Sequence, residues 1–143
     1  MPSANERAVR SLKVAATYED VRLLAAELQA FCAEFALPAE VATDIEFALV
    51  EAANNIVQHG YGETGEGSLD MHIETDATSV TVSLCDRGIP MPQGMMKGDV
   101  EMPSFDMESG RGIAIMQACV DRIDYETRDG LNSLRMVKTL PKA

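Results

Sequence analysis

Residues 39–61 run AEVATDIEFALVEAANNIVQHGY, and the architecture follows from how they fold. Val41, Ile45, Ala48, Ala52 and Ile56 recur at helical spacing, which predicts a helix from about Ala39 to Gln58 with one buried stripe. Glu51, Asn55 and His59 fall at i, i+4 and i+8, along one edge of that helix, beside the stripe rather than opposite it. A carboxylate and an amide at the margin of a core are costly if dry and unpaired, so they call for a partner. A hard divalent cation with its waters suits an amide oxygen. A carboxylate in the same place can act as general base on a hydroxyl or water. The competing reading is a solvated helix face, with His59 interacting with the negative end of the helix dipole.

Working outward, Val9, Leu12 and Val14 suggest a short opening strand. From Tyr18 to Ala36, apolar residues at helical spacing make an amphipathic first helix, ended by Leu37-Pro38. Downstream, Gly60, Gly62, Gly65 and Gly67 break the chain into a loop. Residues 68–76 and 79–85 read as two strands joined by a hairpin turn at Asp76-Ala77-Thr78. Residues 86–109 have little periodicity, which in a compact domain marks a functional or mobile loop. A third helix is expected from near Gly110 to about Val120. Residues 123–128 and 131–139 are expected to close the fold as a hairpin around Asp129-Gly130. The fold class is therefore α+β. One domain spanning 1–143 is a two-layer α/β sandwich, with helices on one face of a mixed, mostly antiparallel sheet.

Composition narrows the function classes. The chain has 143 residues, 46% of them apolar, with 23 acidic against 12 basic side chains and a net charge of −11. No basic stripe of a nucleic-acid binder is present, and anionic lipid would repel such a surface. There is no run of about 20 apolar residues and no apolar signal core, so a cytoplasmic location is expected. Cys32, Cys85 and Cys119 lack zinc-like spacing and read as buried free thiols.

Two further constellations carry chemistry. Asp86-Arg87-Gly88-Ile89-Pro90 follows an apolar strand. A carboxylate there can accept from an exocyclic amine at a pocket floor, and the glycine lets a flat ring approach the backbone. An ordinary strand-to-loop turn is the alternative. Ser109-Gly110-Arg111-Gly112-Ile113 sets glycines around an arginine at an expected helix start, where free N–H groups form an anion site. A glycine-rich helix start without a ligand is the alternative. No Walker motif occurs.

Together, in this order, the Glu-x-x-x-Asn helix, the Asp-x-Gly strand end, the long loop and the Gly-x-Gly segment resemble the GHKL nucleotide-binding superfamily. The closer resemblance is to the anti-sigma-factor serine/threonine kinases of bacterial partner switching. It rests on EAANNIVQHGY at 51–61, DRGIP at 86–90, GRGIAIM at 110–116 and LRMVK at 134–138, and extends from Tyr18 onward. The resemblance implies ATP and Mg2+ as cofactors, with Asn55 holding the metal and Glu51 the catalytic base for a protein hydroxyl. It implies that Asp86 takes the adenine amine above Gly88, that Gly110, Arg111 and Gly112 embrace the phosphates, and that 91–109 is the lid. His59, Pro90 and Ile113 belong to the nucleotide-contacting motifs, and Ser133 stands near where the family places a hydroxyl beside adenine. An antagonist (anti-anti-sigma) protein as phosphorylation substrate, a sigma factor or other effector, and a homodimer are the implied partners.

Two departures stand out. Pro90 replaces a superfamily glycine, as is familiar in the anti-sigma-kinase branch. The lid carries Asp99, Glu101, Asp106 and Glu108 but only Lys97 as a base, so its closure is expected to rely on backbone groups and apolar contacts; its methionines read either as an adaptable surface for this or as flexible solvent-facing filler. The rival reading is a non-catalytic ATP-binding anti-sigma or sensor module, in which nucleotide sets partner affinity without transfer. A histidine-kinase ATP domain and an α/β binding protein without nucleotide are the remaining alternatives.

Overall fold

The computed structural model describes residues 7–92 and 107–141. Strand β1 (Ala8–Ala15) leads into helices α1 (Tyr18–Glu34) and α2 (Ala39–Asn55), then strands β2 (Ser68–Thr75) and β3 (Ser79–Asp86). Helix α3 (Met107–Cys119) and the hairpin β4 (Arg122–Arg128) and β5 (Leu131–Thr139) complete it. The sheet order is β1-β2-β3-β5-β4. The expected sandwich is present, but where a mixed sheet was expected all four pairings are antiparallel. For two of them, β2–β3 and β4–β5, the physical reason is connectivity: tight hairpins join only antiparallel neighbours.

Local chemistry explains the element ends. Thr17 caps α1 by accepting from the Asp20 amide at 3.1 Å. A left-handed Ala36, with φ 53°, closes it. The β4–β5 turn takes Asp129 and Gly130 at φ 54° and 79°, the two positive values a tight two-residue turn requires.

Strands β1, β2 and β3 alternate along their whole length, so one face of the sheet is buried. Leu12, Met71, Leu84, Leu134 and Tyr125 line up across all five strands as partners in register. Against that face pack Leu24, Leu28 and Phe31 of α1 and Ile45, Leu49 and Ala52 of α2, all with 0–1% exposure. Cys32 is buried in this core, and burial pushes its thiol up to about 11. Cys85 and Cys119 are only half-buried, so the expected trio of buried thiols is one; all three are free.

The expected second helix does not run regularly to Gln58. It is α-helical to Asn55 and then widens into a π turn over Ile56–Gly60. Such turns occur often at functional sites. Helix α3 also departs from expectation. It begins three residues earlier, at Met107, so Arg111 and Gly112 lie beyond the four residues whose amides are free at a helix start. The lid expected at 91–109 lies largely outside the described residues. Met91 and Pro92 are its described leading end, and the backbone of 107–109 opens α3.

Candidate functional site

The end of α2 and the end of β3 are pressed together by two glycines. A Cβ on Gly88 would stand 2.5 Å from the Gly60 carbonyl oxygen and 2.7 Å from its carbon. The Ile89 amide donates to that same oxygen at 2.7 Å. Gly88 is thus required for backbone to meet backbone, a demand separate from the expectation that it clears room for a ring. Tyr61 completes the joint. Its hydroxyl accepts from the Arg87 amide at 2.8 Å and donates to the Ser68 carbonyl at 3.1 Å.

Beside this joint lies a cavity of about 200 Å3, lined by Asn55, Ile56, His59, Gly60, Asp86, Ile89, Pro90, Met91, Pro92 and Tyr125. That is below the roughly 300–1,000 Å3 usual for a whole small-molecule site. The described walls therefore suit one ring-sized part of a ligand.

Two polar side chains on this wall are buried. Asp86 is 5% exposed, and its Oδ1 accepts from the Gly88 amide and from Asn132 Nδ2, both at 2.9 Å. Burial raises its pKa above the usual carboxylate value, and those two hydrogen bonds oppose the rise. Tyr125 is raised as well, chiefly by burial, and its hydroxyl accepts from the Met91 amide at 2.9 Å. Asn55 is 6% exposed, and among the described residues its Nδ2 is the one buried side-chain polar atom without a hydrogen-bond partner. Buried polar groups are nearly always paired, so this amide marks a place for a ligand. Rotating the amide end over end exchanges donor for acceptor, so the same position can take an anionic oxygen or a cation. Magnesium commonly keeps several waters and takes one or two protein ligands plus phosphate oxygens. Asn55, turned to present its amide oxygen, is a single protein ligand that fits that habit. Among the described residues, no group of three or more His, Cys, Asp or Glu side chains could hold a metal without a substrate's help.

Glu51, one turn before Asn55 on α2, lies against α3. A Cβ on Gly112 would lie 2.6 Å from Glu51 Oε2 and 3.9 Å from Asn55 Nδ2. Gly112 therefore belongs to this cluster through its closeness to Glu51, and not as a helix-start amide. Ile113 is buried and Arg111 exposed. Ser133 is not brought to the site. It pairs with Cys85, its Oγ 3.6 Å from Cys85 Sγ, on the opposite face of the sheet from Asp86. The residue facing Asp86 is its register partner Asn132, which the sequence reading missed. A one-residue step along a strand exchanges faces, and the only signal that could have placed Asn132 was the β3–β5 register.

Comparisons with known proteins bear on the family and the fold. The histidine kinase-like ATPase domain family matches residues 14–138. An anti-sigma F factor of Pasteuria penetrans is 29% identical over 116 residues, covering 78% of this chain and 77% of that protein. A serine-protein kinase RsbW of Halalkalibacterium halodurans is 27% identical over 103 residues, covering 69% of this chain and 63% of that protein. Among solved structures, the RsbU and RsbW domains of a Mycobacterium tuberculosis protein superpose with TM-score 0.67 at 21% identity, over 94% of this chain and 33% of that one. The catalytic domain of the histidine kinase ThkA gives 0.56 at 18% identity, over 92% of this chain and 96% of its own.

Proposed function

The chain belongs to the histidine kinase-like ATPase domain family, and from that premise we propose that it is a Mg-ATP-dependent protein kinase. Its substrate is a serine or threonine of an antagonist protein of the anti-anti-sigma type. The observation that carries this reading is the buried, unpartnered Asn55 amide on a cavity wall shared with Asp86, with Glu51 one helical turn away. A triphosphate with its base towards Asp86 and its phosphates towards Asn55 would supply the missing partner.

In phosphoryl transfer the protein's work is positioning and charge stabilisation. Bound magnesium supplies neutralisation of phosphate oxygens; Asn55 would hold it. Glu51 is the base that accepts the proton of the attacking protein hydroxyl. Gly112, against which Glu51 packs, sets where that carboxylate stands. Asp86 accepts from the exocyclic amine of the base. The Gly60–Gly88 contact holds the two elements bearing Asn55 and Asp86 at one separation, so the ligand's two ends are read together. Arg111, exposed on α3, offers a fixed positive charge to the phosphates.

The relatives named as anti-sigma F factors support a sigma factor or similar effector as the second partner; that the chain holds it as a cytoplasmic homodimer is part of the same proposal. No helix among the described residues is long and apolar enough to cross a membrane. Glu51→Gln tests the catalytic role. The variant is expected to bind ATP as the wild type does and to lose transfer to the antagonist, read as phosphoserine or phosphothreonine by mass spectrometry. Transfer at the wild-type rate would remove Glu51 from the role. Nucleotide bound by the wild type without any transfer would identify a sensing module instead.

A further inference from the structure

The last row of the sheet's buried face is polar. Two residues beyond Leu84, Leu134 and Tyr125, the register pairs Asp86 with Asn132 and Asn132 with Thr127. Asn132 is 1% exposed, and its three hydrogen bonds leave its amide only one orientation. Nδ2 donates to Asp86 Oδ1 and to the Gly88 carbonyl, both at 2.9 Å, while Oδ1 accepts from the Thr127 hydroxyl at 2.7 Å. Turning the amide over would set its oxygen against a carboxylate and a carbonyl. With the Gly88 amide also on Oδ1, that oxygen of Asp86 has two donors, and Oδ2 is left for a further one.

The geometry points to Asn132, oriented by Thr127, as the positioning residue that holds the Asp86 carboxylate as a pure acceptor towards the base of the bound nucleotide. This rests on the nucleotide reading above and goes beyond it. Selection for a base edge that donates, over one that presents an oxo group, then depends on a residue that touches no ligand. Asn132 matters because Asp86 is buried. A carboxyl there tends towards its protonated form, and an amide N–H on Oδ1 favours the ionised one. The titratable groups facing Asp86 on the cavity wall are Tyr125 of β4 and His59 of the π turn. Arg87 is exposed, its guanidinium beside Gly130.

The test is titration of the full chain with a fluorescent ribose-labelled ATP between pH 8 and 5.5, wild type against Asn132→Asp. The new carboxyl would meet Asp86 with no proton between them at pH 8. Affinity is expected to fall about 10- to 100-fold there, the range for losing a hydrogen bond to a charged group. It is expected to recover as pH falls, because two carboxyls in contact share one proton and regain a donor. The wild type shows no such recovery. Wild-type affinity at pH 8, or a loss that acid does not repair, overturns the inference; a purely structural role would lower stability without that sign of pH dependence. If Asn132→Asp does not fold, Thr127→Val serves: about threefold to tenfold weaker binding is expected, and unchanged affinity overturns the proposal. If wild type fails to bind labelled ATP, or Asp86→Ala binds as well as wild type, the nucleotide reading itself falls.

Discussion

Replacing Gly112 by alanine separates stability from chemistry. Gly112 lies inside α3 without a left-handed φ, so alanine is locally the better helix former, by roughly 0.5–1 kcal/mol. For 143 residues the unfolding entropy near the midpoint is about 0.3 kcal/mol/K, which turns that gain into a rise in Tm of roughly 2–3 °C. The new methyl, however, would stand 2.6 Å from Glu51 Oε2 and requires 3.4 Å for ordinary contact, so the carboxylate must retreat by roughly 0.8 Å. The atom in the way is the end of a flexible side chain, so it yields at little cost to the fold. A reacting group misplaced by about 1 Å loses roughly 100-fold in rate. Expected, then, is a protein that melts no lower than wild type and transfers phosphate about 100-fold more slowly. Thermal melting by circular dichroism and phosphotransfer from labelled ATP to the antagonist measure the two, with labelled-ATP binding run alongside to separate displaced Glu51 from weakened affinity. Transfer at the wild-type rate refutes the coupling of Gly112 to Glu51. A lowered Tm refutes the argument that the side chain gives way.

Gly88→Ala should behave in the opposite way. Its methyl would meet backbone of Gly60, which cannot swing aside, and the Ile89–Gly60 hydrogen bond would open. Overpacking plus that bond amounts to roughly 2–4 kcal/mol, a fall in Tm of about 7–13 °C by the same entropy; a fall under about 3 °C refutes the contact. Asp86→Asn should weaken nucleotide binding yet melt higher than wild type at pH 7. The folded pKa of Asp86 lies above its ordinary 3.8, so the folded state holds the proton more tightly and loses stability as pH rises through the folded value. The advantage of asparagine should therefore shrink as pH falls towards 3.8; a gap that widens on acidification refutes the assignment of burial as the dominant cause.

Much of this molecule was legible in the chain itself. The stripe Val41, Ile45, Ala48, Ala52 and Ile56 made α2, and alternation over 79–84 made β3. Asp129-Gly130 made the closing turn. These are local signals, because period, turn chemistry and burial are all written within ten or so residues. So was the placing of Asn55 and Asp86 on one cavity wall, since the motifs lie at element ends whose order had a recognisable pattern. Three things belonged to the tertiary structure alone. The β3–β5 register chose Asn132 over Ser133, because strands alternate faces and pairing is a relation between distant segments. The Gly60–Gly88 contact was another, since only the folded chain shows what fills the space of a missing Cβ. The packing of α2 on α3 put Gly112 against Glu51 rather than leaving it at a free helix end, because where a helix begins and what it leans on are settled by its neighbours.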